Sequence, residues 1–331
     1  MNKNILRADL LLLLTAAIWG FGFVAQRSGM EYVGPFAYNV LRFVLGSLSL
    51  VPLVLLGRRK SAGRPKIPRK TMLLGSLFAG ICLFVGQTFQ QLGIMFTSTG
   101  NAGFITGLYV VLVPIFGIFL GHKTGIATWI GAALTFAGLY FLANVSRPEA
   151  INPGDLLVMV SAVFWAVHVL VIDRLVRTVD AVVLSLGQFS VCAVLMIFAA
   201  FFLEPQIHPL VTGLSGDFLE NGAFKWLPLP DLIAGLSSAT VSLPAAALIP
   251  ILYGGLCSVG IAYTLQVVAQ KDAPPAHATI ILSFEGSFAA LGGVLLLSET
   301  VSSLTLLGFV LMLAGMLVSQ WELIVKKSGP I

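Results

Sequence analysis

Residues 9–23, DLLLLLTAAIWGFGF, are rewritten at 155–169 as DLLVMVSAVFWAVHV. Both stretches open on an aspartate followed by two leucines. Both carry a hydroxyl–alanine pair (Thr15-Ala16, Ser161-Ala162) and reach a tryptophan ten residues after the Asp, Trp19 or Trp165. The same offset of 146 pairs Arg42-Phe43 with Gln188-Phe189. An offset of 175 then aligns FAGIC (78–82) with YGGLC (253–257) and Gln91 with Gln266. An offset of 177 aligns GAALTFAG (131–138) with GFVLMLAG (308–315). The matches keep one order along the chain, which is the mark of a duplicated unit. The growing offset places an insertion within 204–244.

The composition says what medium the unit lives in. Hydrophobic residues make up 57% of the 331-residue chain and charged residues 10%, where a soluble domain carries about 25% charged. Mean hydropathy is +0.97. Continuous apolar runs of about 20 residues read as membrane-spanning helices, because lipid cannot satisfy free backbone groups. Ten spans are expected, at 9–26, 35–57, 71–94, 99–120, 125–144, 155–172, 181–203, 245–269, 276–297 and 302–323. The first is expected to be a retained span and not a cleaved signal, since its pattern recurs inside the chain. The long connection at 204–244 is expected to carry a short interfacial helix near 230–239.

Five spans per unit is an odd number, so the second unit must cross in the opposite sense. The fold expected is an all-α polytopic membrane protein of two inverted-topology five-helix repeats, at 1–145 and 146–331. Inverted repeats suit alternating access to a midplane site between the halves. With the N-terminus inside, fifteen Lys and Arg residues fall in inner segments and three in outer ones. The positive-inside rule then puts both termini in the cytoplasm. The net charge of +5 therefore reads as topology, not nucleic-acid binding. The run RRKSAGRPKIPRK (58–70) is a loop meeting anionic membrane lipid.

The stretches NAGFITGLYVVLVP (101–114), AYTLQVVAQ (262–270) and APPAHATIILSFEGSFAALGGVLLLSET (273–300) resemble the drug/metabolite transporter superfamily in its EamA-type branch. The last is similar to the family's paired motif, with Glu285 opening the ninth-span signature and Glu299 following. Gly286 stands where the family usually has proline, and His122-Lys123 stand where the first half would match the second glutamate. The insertion at 204–244 is longer than usual. The resemblance covers nearly the whole chain and implies a ten-span carrier of small metabolites. It also implies a homodimer packed through the end spans, where Gly131, Gly138, Gly308 and Gly315 recur seven apart on one helical face.

Polar groups inside the spans are costly and mark cavities or partners. Arg42 lies roughly 10 Å below the outer boundary at 1.5 Å per residue. Its fork suits a carboxylate or phosphate on the solute; snorkelling or pairing with an internal acid is the other reading. Its counterpart Gln188 is neutral, so the charge breaks the internal symmetry. Glu285 near mid-membrane suits proton-coupled exchange, a partnership with Arg42 or a hydrogen-bonded neutral acid. Trp19 and Trp165 sit halfway along their spans, as a cavity wall or as packing. With Gln87, Gln91, Tyr109 and Tyr263 they complete the candidate substrate-binding set. His168 is expected in the core and His277 at the interface. No metal-ligand spacing or cofactor motif occurs among the histidines and the cysteines Cys82, Cys192 and Cys257.

The leading expectation is a secondary transporter of the inner (cytoplasmic) membrane, moving an amino acid or related carboxylated metabolite. The alternatives are an intramembrane enzyme on a lipid or prenyl substrate, which lacks an HExxH or GxSxG motif here, and a channel-like or structural protein. The topology is directly testable. Tags placed in 58–70 and 204–244 are expected to report from opposite faces of the membrane, and the same face for both would end the inverted-repeat reading.

Overall fold

The computed structural model describes residues 3–60, 69–142, 153–207, 245–297 and 303–325. All regular elements among them are helical. The first half holds α1 (Lys3–Gly29), α2 (Pro35–Lys60), α3 (Arg69–Ile94), α4 (Thr99–Thr106), α5 (Tyr109–Phe119) and α6 (Ile126–Leu142). The second holds α7 (Pro153–Leu175), α8 (Ala181–Phe202), α9 (Ala245–Leu252), a π-helical segment (Tyr253–Tyr263), α10 (Thr264–Ala269), α11 (Pro275–Leu282), α12 (Phe284–Leu297) and α13 (Ser303–Val325). Eight helical stretches are long and apolar enough to cross a membrane. The other two expected spans appear as shorter apolar helices, Ile126–Phe141 and Leu306–Ser319, within the described residues. The protein is an all-helical polytopic membrane protein. The expected helix at 230–239 and Glu299 lie outside the described residues.

Three expected spans are not uniform helices. The fourth breaks between α4 and α5, where Leu108, Val110 and Val111 donate to carbonyls three residues back. Pro114 lies inside α5 and offers no N–H to Val110, which loosens the ladder at this point. The ninth breaks at Ser283, where Gly286 donates to the Ser283 carbonyl. The eighth widens into the π-helical segment, which contains Gly254, Gly255 and Gly260. Its carbonyls face donors on other helices: Trp19 Nε1 donates to Ser258 O at 3.3 Å, and Thr15 Oγ1, which shares its one proton with Leu11 O at 2.9 Å, lies 3.3 Å from Ala262 O. Just before it, Tyr38 Oη donates to Pro250 O at 3.0 Å.

Leu, Ile, Val and Phe side chains cover the outer faces, as at Leu53, Phe78, Phe119 and Leu295. With lipid as apolar as leucine, close packing of small residues must hold such helices together. A Cβ on Gly80 of α3 would lie 2.6 Å from Val191 Cβ and 2.9 Å from the Gln188 carbonyl of α8. A Cβ on Gly255, 175 residues later, would lie 2.6 Å from Leu45 Cβ and 3.3 Å from the Arg42 carbonyl of α2. Leu45 and Val191 are 146 apart, as are Arg42 and Gln188. Helix pairs follow the same exchange: α3 packs on α7 and α8, while the π-helical segment packs on α1 and α2. In α6 and α13 the four recurring glycines meet one another within the chain. A Cβ on Gly131 would stand 2.7 Å from the Gly315 carbonyl, and one on Gly138 2.7 Å from that of Gly308. These faces are thus occupied inside one copy.

Side chains tie the helix ends to one another. At one end Thr97 Oγ1 donates to Asp155 Oδ1 at 2.6 Å, and Arg27 Nη1 donates to the Thr97 carbonyl at 3.4 Å. Beside it, partial burial pushes the Glu31 carboxyl up and Arg27 draws it back down. Glu204, just past α8, is buried, and its Oε1 accepts from Phe36 N at 3.2 Å and Ala37 N at 3.4 Å. It thereby satisfies free amides in the first turn of α2.

Gly255→Val is expected to destabilise the fold by about 1–3 kcal/mol through overpacking against Leu45, read as a lower thermal midpoint in detergent. Gly100→Ala, where a Cβ meets nothing within 4 Å, is expected to leave the midpoint unchanged.

Candidate functional site

A narrow cavity, about 30 Å³ in the space open to a water molecule, lies between helices of both halves. Seven residues expected from the sequence line it: Trp19, Arg42, Gln87, Tyr109, Trp165, Tyr263 and Glu285. The eighth, Gln91, is buried one turn beyond and accepts from Gln87 Nε2 at 3.4 Å. Gln90 takes its place in the wall, with Nε2 donating to Thr106 Oγ1 at 3.2 Å.

The aromatic groups form one wall. Trp19 lies 4.5 Å from Tyr263 by ring centroids, and Trp165 lies 6.0 Å from it. Trp19 is placed there because Gly20, its neighbour, lets α1 touch α12: a Cβ at Gly20 would meet Phe288 and, at 2.7 Å, the Glu285 carbonyl. Gly86 performs a similar service for Trp165, whose ring lies 3.4 Å from the Cβ position.

The polar groups divide into those that are satisfied and those that are not. Tyr109 Oη donates to Glu285 Oε1 at 2.8 Å. Each of the two follows immediately on the break in its span, so the breaks present them to one another. Gln87 Nε2 donates to Gln26 Oε1 at 2.8 Å. Arg42 is 1% exposed, and its Nη2 donates to Ser258 Oγ at 3.3 Å. Its Nε and Nη1 have no hydrogen-bond partner, and it forms no ion pair among the described residues. The guanidinium lies 5.8 Å from the Tyr38 ring and 5.4 Å from the Phe43 ring. It neither snorkels nor pairs with Glu285. Trp165 Nε1 and Gln266 Oε1 are also buried without partners. Gln188, the counterpart of Arg42, is occupied at one atom only: its Oε1 lies 2.8 Å from His168 Nε2, while its own Nε2 has no partner among the described residues.

Sequence reasoning passed over Gln26, Thr106 and Ser258 as lining groups. Gln26 had a signal. It follows Trp19 by seven residues, which places both on one helical face.

A second, wider cleft of about 410 Å³ lies beyond one end of the cavity. Val113, Gln270 and His277 line it. Gln266 borders the cavity and Gln270 the cleft, so about one helical turn of roughly 5 Å separates them. Gln270 Nε2 donates to the Val169 carbonyl at 3.0 Å and bridges α10's end to α7 across this septum.

A polytopic helical protein with a polar cavity at its centre and a cleft leading toward it has the build of a membrane transporter. The sequence profile of the EamA-like transporter family matches residues 6–144 and 226–320, and the chain belongs to that family. It is similar to an uncharacterized transporter of Archaeoglobus fulgidus, 28% identical over 317 residues, 95% of this chain and 86% of the relative. The uncharacterized transporter YvbV of Bacillus subtilis is 25% identical over 71% of this chain and 78% of its own. One protein of known crystal structure shares the fold with a TM-score of 0.71 at 18% identity, over 98% of this chain and 99% of its own.

Proposed function

We propose that the protein is a secondary active transporter that carries an amino acid or related carboxylated metabolite by alternating access. Its ten spans form two inverted five-helix repeats, 1–145 and 146–331, in the cytoplasmic membrane with both termini inside. The matched packing of Gly80 on α8 and Gly255 on α2 supports the repeat, as does the exchange of helix partners between the halves.

The observation that carries the substrate class is Arg42. A buried guanidinium with two donors unmatched is costly in a low-dielectric interior. Nε and Nη1 point from opposite edges of the guanidinium, so a solute carboxylate would take one of them together with the second N–H of Nη2 in one bidentate contact. Trp165 Nε1 adds a third donor, while Gln266 Oε1 and the Glu285 carboxyl supply acceptors for an ammonium group. The aromatic wall between them suits an apolar side chain. Glu285 is also the group available to carry a proton in exchange.

Purified protein in liposomes, assayed by counterflow with a panel of labelled amino and keto acids, is expected to accumulate at least one carboxylated solute. Arg42→Gln is expected to weaken its apparent affinity about 10- to 100-fold, as loss of a charged hydrogen-bond pair worth roughly 1.5–3 kcal/mol would. Unchanged affinity would remove Arg42 as the anchor, and absence of counterflow across the panel would remove the carrier reading.

A further inference from the structure

We propose that Asp9, His277 and Ser319 form a proton-binding site, separate from Glu285, that ties together the cytoplasmic ends of α1, α11 and α13. The assignment of side rests on the topology proposed above. His277, expected at the interface, is 2% exposed and stands at the start of α11 in the wall of the wide cleft. Its Nε2 lies 2.9 Å from Asp9 Oδ1 and its Nδ1 3.2 Å from Ser319 Oγ. Ser319 Oγ in turn lies 2.9 Å from the Met316 carbonyl.

Proton counting decides what this row prefers. A hydroxyl has one proton to donate, and a neutral imidazole has one N–H. With the ring neutral and Nε2–H directed at Asp9, Nδ1 must accept the Ser319 proton, and the contact from Ser319 to the Met316 carbonyl is no longer a bond. With the ring charged, Nδ1–H donates to Ser319 Oγ, Ser319 donates to Met316, and Nε2–H donates to the Asp9 carboxylate. All three contacts are then satisfied together. Binding a proton adds one hydrogen bond and one buried ion pair to the junction of three helices.

The opposite end supplies the contrast. Asp155 stands 146 residues after Asp9 and is tied to Thr97 by a hydroxyl, which does not titrate near neutral pH. An imidazole, unlike a hydroxyl, has a second proton to take up. Of these two ties the one at the cleft therefore responds to protons, and acid favours its closed form. The other charged and titratable groups around the site are accounted for. Arg7 of α1 is exposed; Lys271 and Asp272 lie in the turn before α11 and, with His122 and Lys123, line the cleft. Arg177 donates to Asp173 at 3.1 Å, and His122 lies 3.8 Å from the same carboxylate. Tyr109 of α5 and Glu285 of α12 face the central cavity.

The test reads conformation, not flux. Ala273, buried in the cleft wall, is changed to cysteine (Ala273→Cys) in protein carrying Cys82→Ala, Cys192→Ala and Cys257→Ser. Labelling by a membrane-impermeant thiol reagent is followed in inside-out vesicles, each rate normalised to a free thiol at the same pH. The normalised rate is expected to rise by at least about five-fold between about pH 5.5 and about pH 8, the lower end of ordinary coupling. His277→Gln and Asp9→Asn are each expected to flatten the profile, and His122→Gln to preserve it. Monodisperse elution checks folding, and either of the two flattening variants suffices. A rise that persists in a folded His277→Gln or Asp9→Asn protein, a rise lost in His122→Gln, or no rise at all would overturn the proposal. Labelling from the opposite face alone would overturn the topology beneath it. Absence of solute flux bears on the carrier reading and leaves this profile standing.

Discussion

Lipid offers no hydrogen bonds, and the architecture follows from that. Every backbone group must be satisfied within a helix or by a side chain, and every buried polar side chain must find a partner or remain at a cost. Most find one. Tyr38 and Trp19 donate to carbonyls of the eighth span, and Gln87 donates to Gln26. Among the side chains with unmatched atoms, which include Asn39, Gln188 and Trp165, Arg42 is the cation, and its open donors invite something from outside the chain.

The spans were legible because long apolar runs have few other physical outcomes. The offsets of 146 and 175 read in the sequence recur in the packing. Gly80 and Gly255 each remove a Cβ where another helix presses closest. The departures from regular helix were not legible. Pro114 and Pro250 announce that a ladder bond is missing, but only tertiary contacts decide whether the backbone tightens, breaks or widens in response. The π-helical segment exists where three glycines permit it and where neighbouring helices offer donors to its carbonyls.

The site was legible to the extent that depth and polarity reveal it. Trp19, Arg42 and Glu285 are conspicuous in hydrocarbon, and they do converge. Which glutamine of a pair faces inward is another matter. Gln90 and Gln91 differ by about 100° around the helix, and only the position of α4 selects Gln90. The sequence put His277 at the start of a span but could not show its partners, for a similar reason. Its partners lie 268 and 42 residues away, and no local pattern announces such distances.

Glu204, just past α8, joins the end of that helix to the first turn of α2, the helix that carries Arg42. The chain that leaves α8 therefore departs from an anchored point. A load on that connection would be delivered to this carboxylate and, with the packed faces of α2 and α8, into the helix that holds the buried guanidinium.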